Sequence, residues 1–141
     1  MNFLLDTCVI SEFTKPFPDS VVVEWVMNGI DEDECYLSVL TLGEIVNGIT
    51  LLDNHAKARR LRDWFANDLL ERFDGRILHI DESIAIEWGR QKAMCKKSGN
   101  PRPAADLLIA ATAMVNGLTI ATRNVSDFSG LDVSIFNPWD L

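Results

Sequence analysis

The chain has 141 residues and a formal net charge of -8, from 21 acidic against 13 basic side chains. A surplus of that sign excludes a broad basic coat for nucleic acid, though not a nuclease whose positive charge arrives as bound metal. The length suits a single domain, residues 1–141, with an apolar core of its own. Cys8, Cys35 and Cys95 are scattered without a CxxC pair, and His55 and His79 stand far apart. Neither a disulfide framework nor a zinc site is expected from them, and reduced thiols are. The amino terminus has no basic region, Asp6 interrupts its apolar run, and no apolar stretch nears the roughly 18 residues of a membrane span. A soluble cytoplasmic protein is the expectation.

Phe3-Leu4-Leu5 is too short for a helix and reads as a buried strand that stops on Asp6-Thr7. A short helix follows over Val9 to Phe13 and is closed by Pro16 and Pro18. Asp19 or Ser20 can cap the next helix, which carries Val22, Val23, Trp25, Val26 and Ile30 and ends near Asn28-Gly29. Tyr36 to Val39 reads as the second strand, entered from the acidic turn Asp31 to Glu34. Thr41 and Glu44 behind it have capping-box spacing. One long helix is expected from Asn54 to Phe73, with Leu61, Trp64, Phe65, Leu69 and Phe73 as its apolar stripe. Lys57, Arg59, Arg60 and Arg62 charge its first half and read as a solvated face.

After the turn Asp74-Gly75, Ile77 to Ile80 is the third strand, where His79 reads as a packing residue. Asp81 caps a helix running to about Lys97. Residues 98–103 break the pattern, and Pro103 opens a helix that is apolar nearly all round and therefore deeply placed. Asn116-Gly117 ends it with a left-handed cap. Leu118 to Thr122 is the fourth strand, Arg123 to Phe128 a polar loop, and Val133 to Phe136 a last, edge strand. Strands alternating with helices predict an α/β domain with a mainly parallel central sheet of about five strands and helices on both faces.

In such a sheet the strand carboxyl ends and the following helix starts share one edge. Asp6 ends the first strand, and Glu44 is expected in the first turn of the helix after the second. Asp106 lies in the first turn of the buried helix, and Asp127 follows the fourth strand. Each has a local excuse as a cap or a macrodipole partner. Together they put four carboxylates around one cleft, where their charges repel unless hard cations neutralise them. Mg²⁺ or Mn²⁺ there would suit phosphodiester hydrolysis by water, with no histidine, cysteine or serine nucleophile.

The strings LLDTCVISE, LSVLTLGEIVNGI, PAADLLIAATA, TRNVSDF and IFNPWDL occur in the order found in PIN-domain proteins, and the chain resembles that family along nearly its whole length. The likeness is greatest to VapC-type toxins of bacterial toxin–antitoxin pairs, in the FitB-like subgroup. It implies a PIN-like fold and a Mg²⁺- or Mn²⁺-dependent endoribonuclease that leaves 5′-phosphate and 3′-hydroxyl ends. It also implies a homodimer, neutralisation by a small VapB- or FitA-like antitoxin, and DNA binding only through that antitoxin.

By position Asp6, Glu44 and Asp106 match the family's metal-holding acids, Asp127 is taken as the fourth, and Thr7, Thr122 and Asn124 are supporting residues. Two departures stand out. Cys8 occupies the usual place of an Asn, and Asn124 stands where some relatives carry the fourth acid. Arg123, Arg102 and the run Lys57 to Arg62 are the basic candidates for steering RNA, and the sequence does not choose among them. The competing readings are a non-catalytic partner subunit of an operator-binding complex and an aspartate-based phosphohydrolase. The second lacks the DxD pattern at the first strand, where Cys8 takes the second position.

Overall fold

The computed structural model describes residues 1–141. Its sheet has the order β3-β2-β1-β4-β5 with every pairing parallel, from β1 (Phe3–Leu5), β2 (Cys35–Ser38), β3 (Ile77–Leu78), β4 (Thr119–Ala121) and β5 (Ile135–Phe136). The first strand is therefore central, with β2 and β4 on its flanks. All of β1 is buried, as a parallel strand covered on both sides requires.

Alternation along β1 sorts the core into two halves. Phe3 and Leu5 join Val9, Ile10, Val22, Trp25, Ile45, Leu69 and Phe73 on one face. Leu4 meets Ile109, Ala110, Ala113, Ile120 and Phe128 on the other. The first face is covered by α1 (Thr7–Glu12), α2 (Ser20–Glu24), α3 (Val39–Thr50) and α4 (His55–Trp64); the second is covered by α7 (Ala104–Asn116). Six residues of α7 are buried, so its nearly continuous apolar surface lies deep, as its sequence predicts. Outside it runs α6 (Glu82–Lys97), and the short α5 (Leu70–Arg72) ends the helical segment that begins at α4.

Local chemistry sets most of the boundaries. Asp19 caps α2 by accepting from Val21 N, and Asp81 caps α6 by accepting from Ile84 N at 2.9 Å. Gly117 ends α7 at φ 65°, a left-handed conformation that costs glycine nothing. Several expectations are corrected. Helix α3 is capped by Ser38, whose Oγ accepts from Leu40 N at 3.1 Å, and not by Thr41 with Glu44. Strand β2 consequently stops one residue early, and Glu44 falls in the second turn of α3. A capping box sits instead in the acidic turn, between Asp31 and Glu34. The rod from His55 to Arg72 is helical throughout but passes through a π turn at Phe65–Leu69, and α2 likewise runs on into one at Trp25–Gly29. Strand β3 is only two residues long, so His79 lies outside it and is exposed rather than packed. No helix is long and apolar enough to cross a membrane.

Candidate active site

Asp6 leaves the end of β1 while its backbone N–H donates to Ala121 O of the neighbouring β4 at 3.0 Å. Its carboxylate is held on both oxygens. Oδ1 accepts from Thr7 N at 2.9 Å, which caps α1, and Oδ2 accepts from the Thr122 hydroxyl at 2.8 Å. Thr122 is fully buried at the end of β4, and its Oγ1 also accepts from Asn124 N at 3.0 Å. One hydroxyl thus ties the first strand's acid to the loop that carries Asn124 and Asp127. Cys8 fills the remaining space, with Sγ 3.9 Å from Asp6 Oδ2 and 3.6 Å from Thr122 Oγ1, and it accepts from Arg123 N at 3.5 Å. Burial pushes the Cys8 thiol above its ordinary pKa, and the Asp6 charge adds to that. It serves here as a neutral, weak donor.

The other acids come from separate elements. Glu44 projects from α3 and is exposed, yet its pKa is raised, first by lost hydration around the carboxyl group and then by the charges of Asp6 and Asp106. The Thr7 hydroxyl eases that charge slightly, although it is buried with no hydrogen-bond partner at normal geometry. Asp106, in the first turn of α7, is also raised, by desolvation and then by the charges of Asp127 and Asp6, with Arg102 pulling the other way. Asp106 and Asp127 line one cavity of about 440 Å³, together with Asn100, Arg102, Pro103, Ser126 and Ser129. The four predicted acids are therefore linked by charge at the carboxyl edge of the sheet, Glu44 with Asp6 and Asp106, and Asp106 with Asp127 and Asp6. They surround a gap: no three acidic, histidine or cysteine side chains stand close enough to grip one ion as placed.

Oxygen-only donors, an orphaned Thr7 hydroxyl and unrelieved repulsion at Glu44 and Asp106 are chemistry that a hard divalent cation fits. Two further residues complete the surroundings: Glu12, which has no predicted role, and Arg102, a candidate for steering RNA. Glu12, only 3 % exposed, pairs with Lys15 at 2.7 Å and accepts from Asp19 N at 2.9 Å. Lys15 lowers its pKa below the usual carboxylate value, aided by Arg123. The sequence signal was an acid three places before a lysine, which any surface helix also shows. Arg102 donates to the carbonyls of Ser126, Asp127 and Ser129 and so braces the loop that presents Asp127.

The model of the PIN domain family matches residues 3–132. The chain belongs to the PIN-domain family. Toxin FitB of Neisseria gonorrhoeae is 43% identical to it over 136 residues, covering 96% of this chain and 97% of that protein. A VapC ribonuclease of Sinorhizobium fredii is 33% identical over 137 residues, covering 97% of each. Among solved structures, FitAB bound to a DNA fragment matches with a TM-score of 0.92 at 40% identity, over 99% of this chain and 96% of that one. This PIN domain thus has the parallel five-stranded architecture of a toxin–antitoxin complex component.

Proposed function

We propose that this PIN-domain protein is a Mg²⁺- or Mn²⁺-dependent endoribonuclease and the toxin of a toxin–antitoxin pair. The observation that carries the reading is the convergence of Asp6, Glu44, Asp106 and Asp127 from four separate elements onto one sheet edge, where, beyond lost hydration, the charges of Asp6 and Asp106 act on Glu44 and those of Asp127 and Asp6 on Asp106. The ribonuclease name of the relative from Sinorhizobium fredii supports the reaction class. The toxin name of the relative from Neisseria gonorrhoeae and the DNA-bound FitAB structure support a small antitoxin partner and DNA contact through that partner.

In this mechanism the four carboxylates would hold the cation, which when bound supplies an activated water and stabilises the departing oxygen. Thr122 and Thr7 N–H fix Asp6 in one orientation. Arg102 keeps the Asp127 loop closed against α7 through its three carbonyl contacts. Cys8 contributes a neutral contact in place of an amide and carries no nucleophilic role, since burial keeps its thiol protonated.

The test is cleavage of a structured RNA by antitoxin-free protein with Mg²⁺, with EDTA, and with Asp106→Asn. The expected outcome is cutting that EDTA abolishes and the variant lacks. A folded parent that cuts no RNA with either metal would overturn the reading in favour of a binding-only subunit.

A further inference from the structure

The three sets of cations named above as candidates for steering RNA stand in different conditions. The Arg102 guanidinium is committed to backbone carbonyls of the Asp127 loop. Arg123 lies over the Trp139 ring, 5.3 Å from its centroid. Lys57, Arg59, Arg60 and Arg62 of α4 form no ion pair and no side-chain hydrogen bond, in a chain whose net charge is -8. Uncompensated cations in an acidic protein are available to a polyanion. Helical spacing divides these four. Lys57, Arg60 and Trp64 share one face, at steps of three and four residues, while Arg59 and Arg62 point to the other side.

The face with Lys57 opens onto the acids. Lys57 and Trp64 line a recess of about 210 Å³ whose other walls include Glu44 of α3 and the hydroxyl-bearing Ser11 and Thr14. One end of that recess is therefore a member of the acidic cluster, and the other is the unpaired basic face of α4. The recess combines an indole, the apolar side chains of Ile45, Leu52 and Leu61, two hydroxyls and Lys57, with Arg60 one turn further along the same face of α4. An apolar slot beside aligned cations is what a single-strand site needs, where bases stack and phosphates find charge.

We propose that the α4 face formed by Lys57, Arg60 and Trp64 is the track for single-stranded RNA on the Glu44 side of the scissile phosphate. Lys57 and Arg60 take successive phosphates, and the recess beside Trp64 takes one unstacked base. This deepens the ribonuclease reading and rests on it. The acids alone repel RNA, so the cations that hold the strand must lie beyond them, and α4 supplies them at the edge of the cluster.

The test uses the full chain with Asp106→Asn to prevent cutting, and a short fluorescein-labelled single-stranded RNA titrated across a salt series by anisotropy with Mg²⁺ present. Lys57→Gln with Arg60→Gln should weaken binding by about tenfold at low salt and flatten the salt dependence by about 0.7 per removed cation. Arg59→Gln with Arg62→Gln removes the same charge from the opposite face and should bind as the Asp106→Asn protein does. Arg59, Arg60 and Arg62 are exposed and Lys57 is half-exposed, and matched thermal melts check that the folds are equal. Equal weakening by both pairs would reduce the effect to net charge and overturn the track. Unchanged binding by Lys57→Gln with Arg60→Gln would overturn it too and make this face a docking surface for protein. In either of those cases, metal-dependent cutting by the unmodified chain leaves the ribonuclease reading standing. A chain that neither cuts nor binds RNA overturns both.

Discussion

Glu12 and Glu44 sit on adjacent helices and show what decides the state of a carboxylate. Glu12 is almost wholly buried, yet its pKa is lowered, because Lys15 and the Asp19 N–H meet its charge. Glu44 is exposed as a residue, yet its pKa is raised, first by lost hydration around its carboxyl group and then by the charges of Asp6 and Asp106, and no cation pairs with it. Lost hydration pushes both carboxyl groups upward, and only at Glu12 does a cation outweigh it. Partners decide here, and the acid left without one is the acid available to a ligand.

The largest effects should come from the unpaired member. Glu44→Gln is expected to lower metal-dependent RNA cleavage by about 100-fold or more, since even outer partners of metal ligands are worth about 10–100-fold. Its melting temperature without metal should stay level or rise, because repulsion is removed. A steady-state assay with a thermal melt checks both, and a large fall in melting temperature would make Glu44 a structural acid like Glu12. Thr122→Val should weaken Mn²⁺ binding by about 10–100-fold by releasing Asp6 Oδ2, with calorimetry as the measurement. Unchanged affinity would show that Thr7 N–H holds Asp6 unaided.

Glu12→Gln should cost about 1–3 kcal/mol in urea unfolding at neutral pH, the range for a hydrogen-bonded buried charge, with metal affinity unaltered. The smallest and most diagnostic effect is the pH dependence of these two variants. Glu12 has a folded pKa below the ordinary value of 4.5, so its stabilisation is present above that value and is lost as pH falls through the folded pKa. Glu44 has a folded pKa above 4.5, so its ionisation destabilises the fold at neutral pH and stability is regained on acidification. The stability gap between parent and Glu12→Gln should therefore shrink toward low pH. Any gain from Glu44→Gln should vanish there as well. Parallel urea curves at several pH values read both, and slopes of the same sign would break the contrast.

Much of this architecture was legible because period and punctuation agree. The Phe3-Leu4-Leu5 run, the Asp19 and Asp81 caps and the Asn116-Gly117 stop are local signals with local physical causes, and each falls where it was expected. The failures share a different origin. Thr41 with Glu44 has capping-box spacing, but Ser38 reaches an orphan N–H earlier, and only the end of β2 decides between them. The π turns interrupt periodic stretches with no breaker residue to announce them. His79 follows a two-residue edge strand, so its alternation ran past the end of the pairing. At the site the acids could be named one by one, because strand ends and helix starts are readable. Their supports were not readable from local pattern: Thr122, which meets Asp6 across 116 residues, was named only through the family resemblance, and the bracing of the Asp127 loop by Arg102, from 24 to 27 residues away, was not foreseen. Those contacts exist only once the sheet has closed.

That last separation has a consequence for the birth of the protein. Strand β1 is made first but sits between β2 and β4, and Asp6 is fixed by Ala121 and Thr122, near the far end of the chain. A nascent chain halted before Thr119 has Asp6 at the end of a strand with one side unpaired, no hydroxyl to orient it, and no Asp127. The order of synthesis thus leaves Asp6 without its Thr122 partner, and the group of four acids without Asp127, until the chain is nearly complete.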